Sequence, residues 1–261
     1  MSAQAKLAGP PEGLILNQTL LLGLICCCGF LSTFHFASID AIPLGLGALM
    51  NVGWCYFLYT PMHEAAHRTA HSNSTVNEIV GVVSGLILLS AFPAYRLTHY
   101  RHHAHTNDAL LDPDALLAGN RSASLFWRLI LRLGYDHFYL WQHREWRGRR
   151  QQFIGYILCL AGLSGVVYSL LSLGLLLPVL ALWILPTVVA GMLIYYTFAY
   201  LVHQPHHPSD RGRDLTNPWL RRLMLGQSLH SLHHRRPNVP WFRYAAMEQQ
   251  HRYIEKEYDN D

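Results

Sequence analysis

Eleven of the seventeen histidines in this 261-residue chain stand in four groups. His63 and His67 form H-x-x-x-H. His99, His102 and His103 form H-x-x-H-H, and His230, His233 and His234 repeat that spacing. His203, His206 and His207 make the fourth group. On a helix, residues i, i+3 and i+4 share a face, so each group can aim two or three imidazoles at one point. One zinc takes about four ligands, so the chain offers enough for two metals. Imidazole suits iron, zinc, copper or nickel. Thiolates do not compete: Cys26, Cys27, Cys28, Cys55 and Cys159 lie in apolar stretches without a C-x-x-C and read as small apolar residues. Redox iron fits an all-histidine, multi-cluster site. A pair of irons can turn O2 on an unactivated C–H bond, which no side chain does alone.

Two other chemistries stay open on the residues alone. His63-Glu64-Ala65-Ala66-His67 matches H-E-x-x-H, in which two histidines hold zinc and the glutamate activates water. A membrane zinc metalloprotease needs one further ligand, however, and leaves both H-x-x-H-H groups without a use. A non-catalytic metal or haem carrier is the other. His35, His137, His143 and His251 stand alone and read as surface or satisfied core residues.

The elements that must position these groups are apolar. The chain is 51% hydrophobic and 14% charged, against roughly 25% charged in ordinary soluble domains. Four stretches approach the roughly 20 apolar residues that span a bilayer: about 14–37, 41–60, 153–176 and 178–202. The connections within each pair are tiny, so an all-α integral membrane fold is expected, with four transmembrane helices in two hairpins forming one domain over 1–261. A fifth stretch, 76–92, is marginal for a span and reads as a buried or re-entrant helix. The first stretch is too long for the apolar core of a signal peptide and reads as a retained anchor.

Every Lys and Arg lies before the first span, between the second and third, or after the fourth. Under the positive-inside rule both termini and all four histidine groups are then cytoplasmic, in an inner or plasma membrane, as a cap holding the metals. Between the groups, 121–152 mixes arginines with Phe126, Trp127, Leu131, Tyr135, Phe138, Trp141 and Trp146. That pattern reads equally as an interfacial helix and as a solvated cap. Its basic residues suit anionic lipid better than nucleic acid, and no nucleic-acid-binding module is present.

The ordered motifs HEAAH, HYRHH and HSLHH resemble the histidine boxes of the membrane fatty acid desaturase superfamily, which includes carotenoid hydroxylases and ketolases. The resemblance runs from about Pro61 to Tyr244. It extends through THYRHHAHTND with the following DPD, through LGQSLHSLHHRRPNVPWFRY, and through YLVHQPHHP. It implies a non-haem di-iron centre, O2 as co-substrate and two electrons per turnover from an external carrier. Carried over by position, His63, His67, His99, His102, His103, His230, His233 and His234 are ligands, joined by His203, with His206 as second choice. Glu64 is expected to fix an imidazole tautomer; Asp108, Asp112 and Asp114 are candidates for the same role, with a solvated or helix-capping role equally open for each of the three. Two departures weaken transfer of substrate identity: Ala109-Leu110-Leu111 before DPD, and Arg235-Arg236 after the third box. His71 and His105 extend the boxes without being assigned as ligands. No HPGG haem segment is fused, so a separate ferredoxin, cytochrome or reductase is expected as donor. The resemblance implies a lipid substrate: a fatty acyl chain to be desaturated or, as the alternative, a carotenoid to be hydroxylated or ketolated.

Overall fold

Asn17 starts the first helix: its side-chain oxygen accepts from the N–H groups of Thr19 and Leu20, two of the donors that a helix start leaves open. The structure, a computed structural model, describes residues 16–118, 122–204 and 211–249. His206, His207, His251 and the beginning of the expected first span lie outside them. Helix α1 (Gln18–Ser38) turns through Asp40, at φ +59°, into α2 (Leu44–Ala66). The two pack closely because their contact positions are small. A Cβ on Gly29 would lie 2.5 Å from the Trp54 ring, and one on Gly47 would lie 2.7 Å from Ala37. This is the close approach that small residues permit between apolar helices.

Helices α6 (Arg150–Ser172) and α7 (Leu176–Leu201) follow the same scheme in sequence, with Gly174 at φ +78° in the turn. Their contact with each other is slight, through Trp183 against Leu163 and Leu170. Helix α7 lies mainly on α2, while α6 lies on α4. Asn51 of α2 donates to the Leu182 carbonyl at 2.7 Å. Leu182 lies in a π-helical stretch, Val179–Ile184, where the i to i+4 ladder is interrupted. A polar residue in α2 thus holds α7 across the bundle.

Among the described residues, three helices are long and apolar enough to cross a membrane: α1, α6 and α7. Helix α2, expected as the second span, is not among them. Asn51, Tyr56, Tyr59 and Thr60 lower its apolar content, and all four are buried in the bundle. The marginal stretch forms α3 (Ser74–Ile87), which meets α4 (Phe92–His105) at a bend of 103°. At roughly 1.5 Å per residue α3 alone covers about 21 Å, short of a bilayer core of about 30 Å.

The bend has identifiable causes. Leu89 takes φ +53°, and Trp183 and Thr187 of α7 both donate to the Ile87 carbonyl that ends α3. The Phe92 ring folds back over Gly81, where a Cβ would come within 2.2 Å of it. Beyond the bend, a 3-10 turn (Pro113–Leu117) leads to α5 (Ser122–Gln142). Helix α5 exposes Phe126, Trp127, Leu131, Phe138 and Trp141 and buries Arg132, Asp136 and Tyr139. Two short helices, α8 (Pro218–Leu223) and α9 (His230–Arg235), close the described chain near its end.

Replacing Gly81 by Ala should therefore displace a fully buried ring. The expected cost is about 1–3 kcal/mol, as for other overpacked cores. Thermal unfolding of the detergent-solubilised protein measures it, and an unaltered midpoint would refute this account of the bend.

Candidate metal centre

Four separate elements bring the histidines together. Helix α2 ends in His63 and, at its C-cap, His67. The second half of α4 carries His99, His102 and His103 on one face. Helix α9 carries His230, His233 and His234. His203 follows a second π-helical stretch, Tyr196–Leu201, which re-aims the end of α7. The result is two groups. In one, His63, His67, His99 and His233 have ligand nitrogens within 4.8 Å of one another; in the other, so do His102, His203, His230 and His234. The His103 Nε2 lies 3.0 Å from that of His233, so all nine expected ligands converge.

The Nε2 atoms meet at close range. His67 and His99 are 2.7 Å apart, His63 and His233 3.2 Å, His230 and His203 2.9 Å, and His102 and His234 3.3 Å. The partners of Nδ1 show what the last contact means. Thr106 Oγ1 gives its proton to the His102 carbonyl at 2.8 Å, so towards His234 Nδ1, at 3.2 Å, it accepts. His234 therefore carries its proton on Nδ1. His102 Nδ1 donates to Asp112 Oδ1 at 2.9 Å. With His102 neutral, both Nε2 atoms present lone pairs to each other, an arrangement that needs a positive charge between them: a metal ion, or a second proton on His102, which burial disfavours but the Asp112 and Asp114 carboxylates favour more strongly, raising the group to about 8. The convergence of nine imidazoles in two groups is what fits metal ions.

Charge in the site agrees. Burial pushes His230, His233 and His234 well below the ordinary imidazole range, and neighbouring imidazoles push the same way. Neutral imidazole is the form that binds metal. Burial also tends to raise the Asp114 carboxyl, but the Arg132 guanidinium outweighs it and holds the group at about 2. Arg132 reaches Asp114 at 2.7 Å and Asp136 at 2.6 Å.

The carboxylates divide between the roles that the sequence left open. Asp112 holds the His102 imidazole and also accepts from the N–H groups of Asn107 and Asp114. Asp114 stands farther off, its Oδ2 3.6 Å from His102 Nδ1. Asp108 caps a turn, accepting from Leu110 and Leu111. Glu64 is buried behind His63: its Oε1 is 3.6 Å from Nδ1, while its Oε2 accepts from Thr69 at 2.7 Å and from the Trp241 N–H at 3.3 Å. His71 and His105 stay outside both groups. Two participants carried no signal in the spacing: Thr106, and Tyr244, whose hydroxyl lies 2.8 Å from His233 Nδ1.

Comparison with known proteins matches the chain to the sequence model named "Fatty acid desaturase" over residues 41–260. That range contains every histidine of the site. The chain is 30% identical over 228 residues to dihydrorhizobitoxine desaturase of Bradyrhizobium elkanii, covering 72% of this chain and 62% of that protein. It is 42% identical over 45 residues to the chloroplastic omega-6 fatty acid desaturase of Glycine max, covering 17% and 11%. The chain thus spans less than two thirds of the length of either relative.

Because Asp112 fixes the tautomer of His102, Asp112→Asn is expected to weaken metal retention by about 10–100-fold, the usual effect of losing such a partner. Competition against a chelator measures it. Asp108→Asn, on the turn alone, should leave retention unaltered; equal losses in the two variants would dismiss the role given to Asp112.

Proposed function

The chain belongs to the fatty acid desaturase family, and from that premise we propose that it is a membrane non-haem di-iron oxidoreductase that uses O2 and two externally supplied electrons to oxidise a C–H bond of a lipid, with desaturation of a fatty acyl chain as the reaction. The observation that carries this reading is the pair of four-imidazole groups with His103 beside them. A zinc hydrolase would use one such group. It would also need Glu64 facing the metal, whereas Glu64 lies on the Nδ1 side of His63, tied to Thr69 and Trp241.

Bound iron would supply the oxidising chemistry toward O2 and the C–H bond. The protein's part is to hold and orient. His63, His67, His99 and His233 would form one site, and His102, His203, His230 and His234 the other, with His103 at the first. Asp112 and Thr106 keep protons on Nδ1 so that Nε2 stays free to ligate. An inner cavity of about 30 Å³ lies against both groups, bounded by Tyr59, Tyr95, Ile194 and Phe198. Its aromatic walls would hold the reacting carbon beside the imidazoles, where placement decides the rate.

The membrane arrangement belongs to the same proposal. Helix α2 has 23 residues, about 34 Å at 1.5 Å per residue, so it is long enough to be the second of four spans. His67 at its end meets His99 in α4, which requires α3 and α4 to leave and return on one side, as a re-entrant pair. Basic residues flank that side, which makes it cytoplasmic, in an inner or plasma membrane. The exposed aromatic face of α5 would rest in the lipid interface. A ferredoxin, cytochrome or reductase would deliver the electrons.

Purified protein should carry about two irons per chain, one for each group of four imidazoles; one zinc and no iron would reverse the choice. Expressed in a membrane host with and without a carotenoid pathway, the chain should add a double bond to acyl chains, read by mass spectrometry. A more polar pigment with unaltered acyl chains would replace desaturation by carotenoid oxidation. His233→Ala should reduce product to background, and full activity in that variant would sink the di-iron reading.

A further inference from the structure

A second, larger cavity continues from the inner one. It measures about 160 Å³ and is bounded by the α3–α4 bend at Leu89, by α5 and by α7. Tyr59, Tyr95, Ile194 and Tyr195 line both spaces, and the Tyr95 hydroxyl donates to that of Tyr59 at 3.3 Å. The two cavities therefore adjoin, with the tyrosine pair as the waist between them. Its capacity is small: an apolar protein cavity of about 150 Å³ holds one benzene ring.

The outer cavity is also polar on one wall. Asp136, 6% exposed, and His137 line it from α5. Asp136 accepts from Arg132 through Oδ1, which leaves Oδ2 for a ligand. Among the described residues, the buried His137 Nδ1 has no hydrogen-bond partner, an expensive condition for a polar atom in a protein interior. Arg132 lines the inner cavity instead. It bridges Asp136 to Asp114, which lies beside His102. An unbroken chain of contacts thus fixes the polar wall a short way from the imidazole groups.

We propose that Asp136 and His137 anchor a hydrogen-bond-donating group of the substrate, a hydroxyl or an ammonium, and that the enclosed part of the substrate is compact, about six heavy atoms between that anchor and the tyrosine waist. The oxidised C–H bond then lies within a short distance of the substrate's hydrogen-bond-donating group. The proposal rests on the oxidoreductase reading for its meaning but not for its test, because binding to the cavity needs no metal.

The test uses the full chain as purified, in detergent. Hexan-1-ol, hexylamine and methyl pentyl ether have similar size, but the ether has no donor. Calorimetry should show saturable binding of the alcohol, the amine or both. The ether should bind at least about tenfold more weakly, the difference expected for one hydrogen bond to a charged group. Binding of the amine alone assigns an ammonium group, and binding of the alcohol alone a hydroxyl. Asp136→Asn should reduce the donors to the level of the ether. Because that change also disturbs Arg132, His137→Phe serves as the second variant and should have the same effect. Val188→Phe, which fills the cavity, should abolish binding of all three. Equal affinity for the three probes, no binding of any, or donor binding untouched by both Asp136→Asn and His137→Phe would overturn the anchor. An enzyme that binds the donors but oxidises nothing when loaded with iron would instead defeat the oxidoreductase reading and leave the anchor standing.

Discussion

Nine imidazoles crowded into one buried place can share metal ions only if each shows the correct nitrogen. Most of the structure answers that constraint. The lone pairs must point inward, so the protons must sit on Nδ1 and find acceptors outside the cluster. Asp112 accepts from His102, and Thr106 can accept from His234 only because its own proton is committed to the His102 carbonyl. Asp114 then needs a counter-charge, which Arg132 supplies from α5. Helix α5 is thereby tied to the site although it contributes no ligand.

The same constraint explains the bend between α3 and α4. His67 closes α2 and His99 lies midway along α4, yet their Nε2 atoms are 2.7 Å apart. The intervening chain must run outward and come back within 31 residues. Small residues at Gly81 and Gly85, the left-handed Leu89 and the Trp183 and Thr187 donors make that reversal possible. The reversal also walls one side of the outer cavity. Ligand geometry and substrate space thus share a single hinge.

The part of this legible in the sequence is the part that obeys helical spacing. His63 with His67, His99 with His102 and His103, and His230 with His233 and His234 are near neighbours on their own elements, so period alone groups them. His203 was legible from its place after the last span. What required the fold was partnership across elements. Asp112 and Asp114 are two residues apart, and nothing local says that the first takes the imidazole and the second the arginine. Tyr244 and Thr106 reach their histidines across 11 and 128 residues. The packing of α7 on α2 was hidden for a similar reason. A short turn constrains where two helices begin, but the Asn51–Leu182 contact decides where they lie. His137 read as an ordinary lone histidine, and only the cavity against it gives its buried nitrogen significance.

Helix α9 is six residues long yet carries three of the nine imidazoles. A helix of that length does not hold together by itself in water. Asp214, bonded to Ser231, and Gln227, bonded to Thr60, pin its beginning. Leu229 and Leu232 pack against Val239, Tyr244 and Met247, and bound metal would add to that order. These ligands also follow every apolar span in the chain, so they reach the site after the membrane helices have been made. Maturation then has a direction: a half-built cradle of α2 and α4 waits in the bilayer, and the last segment shuts it like a clasp. Loss of the proposed metals would reopen that clasp first, exposing the end of the chain to proteases while the helices in lipid stay intact.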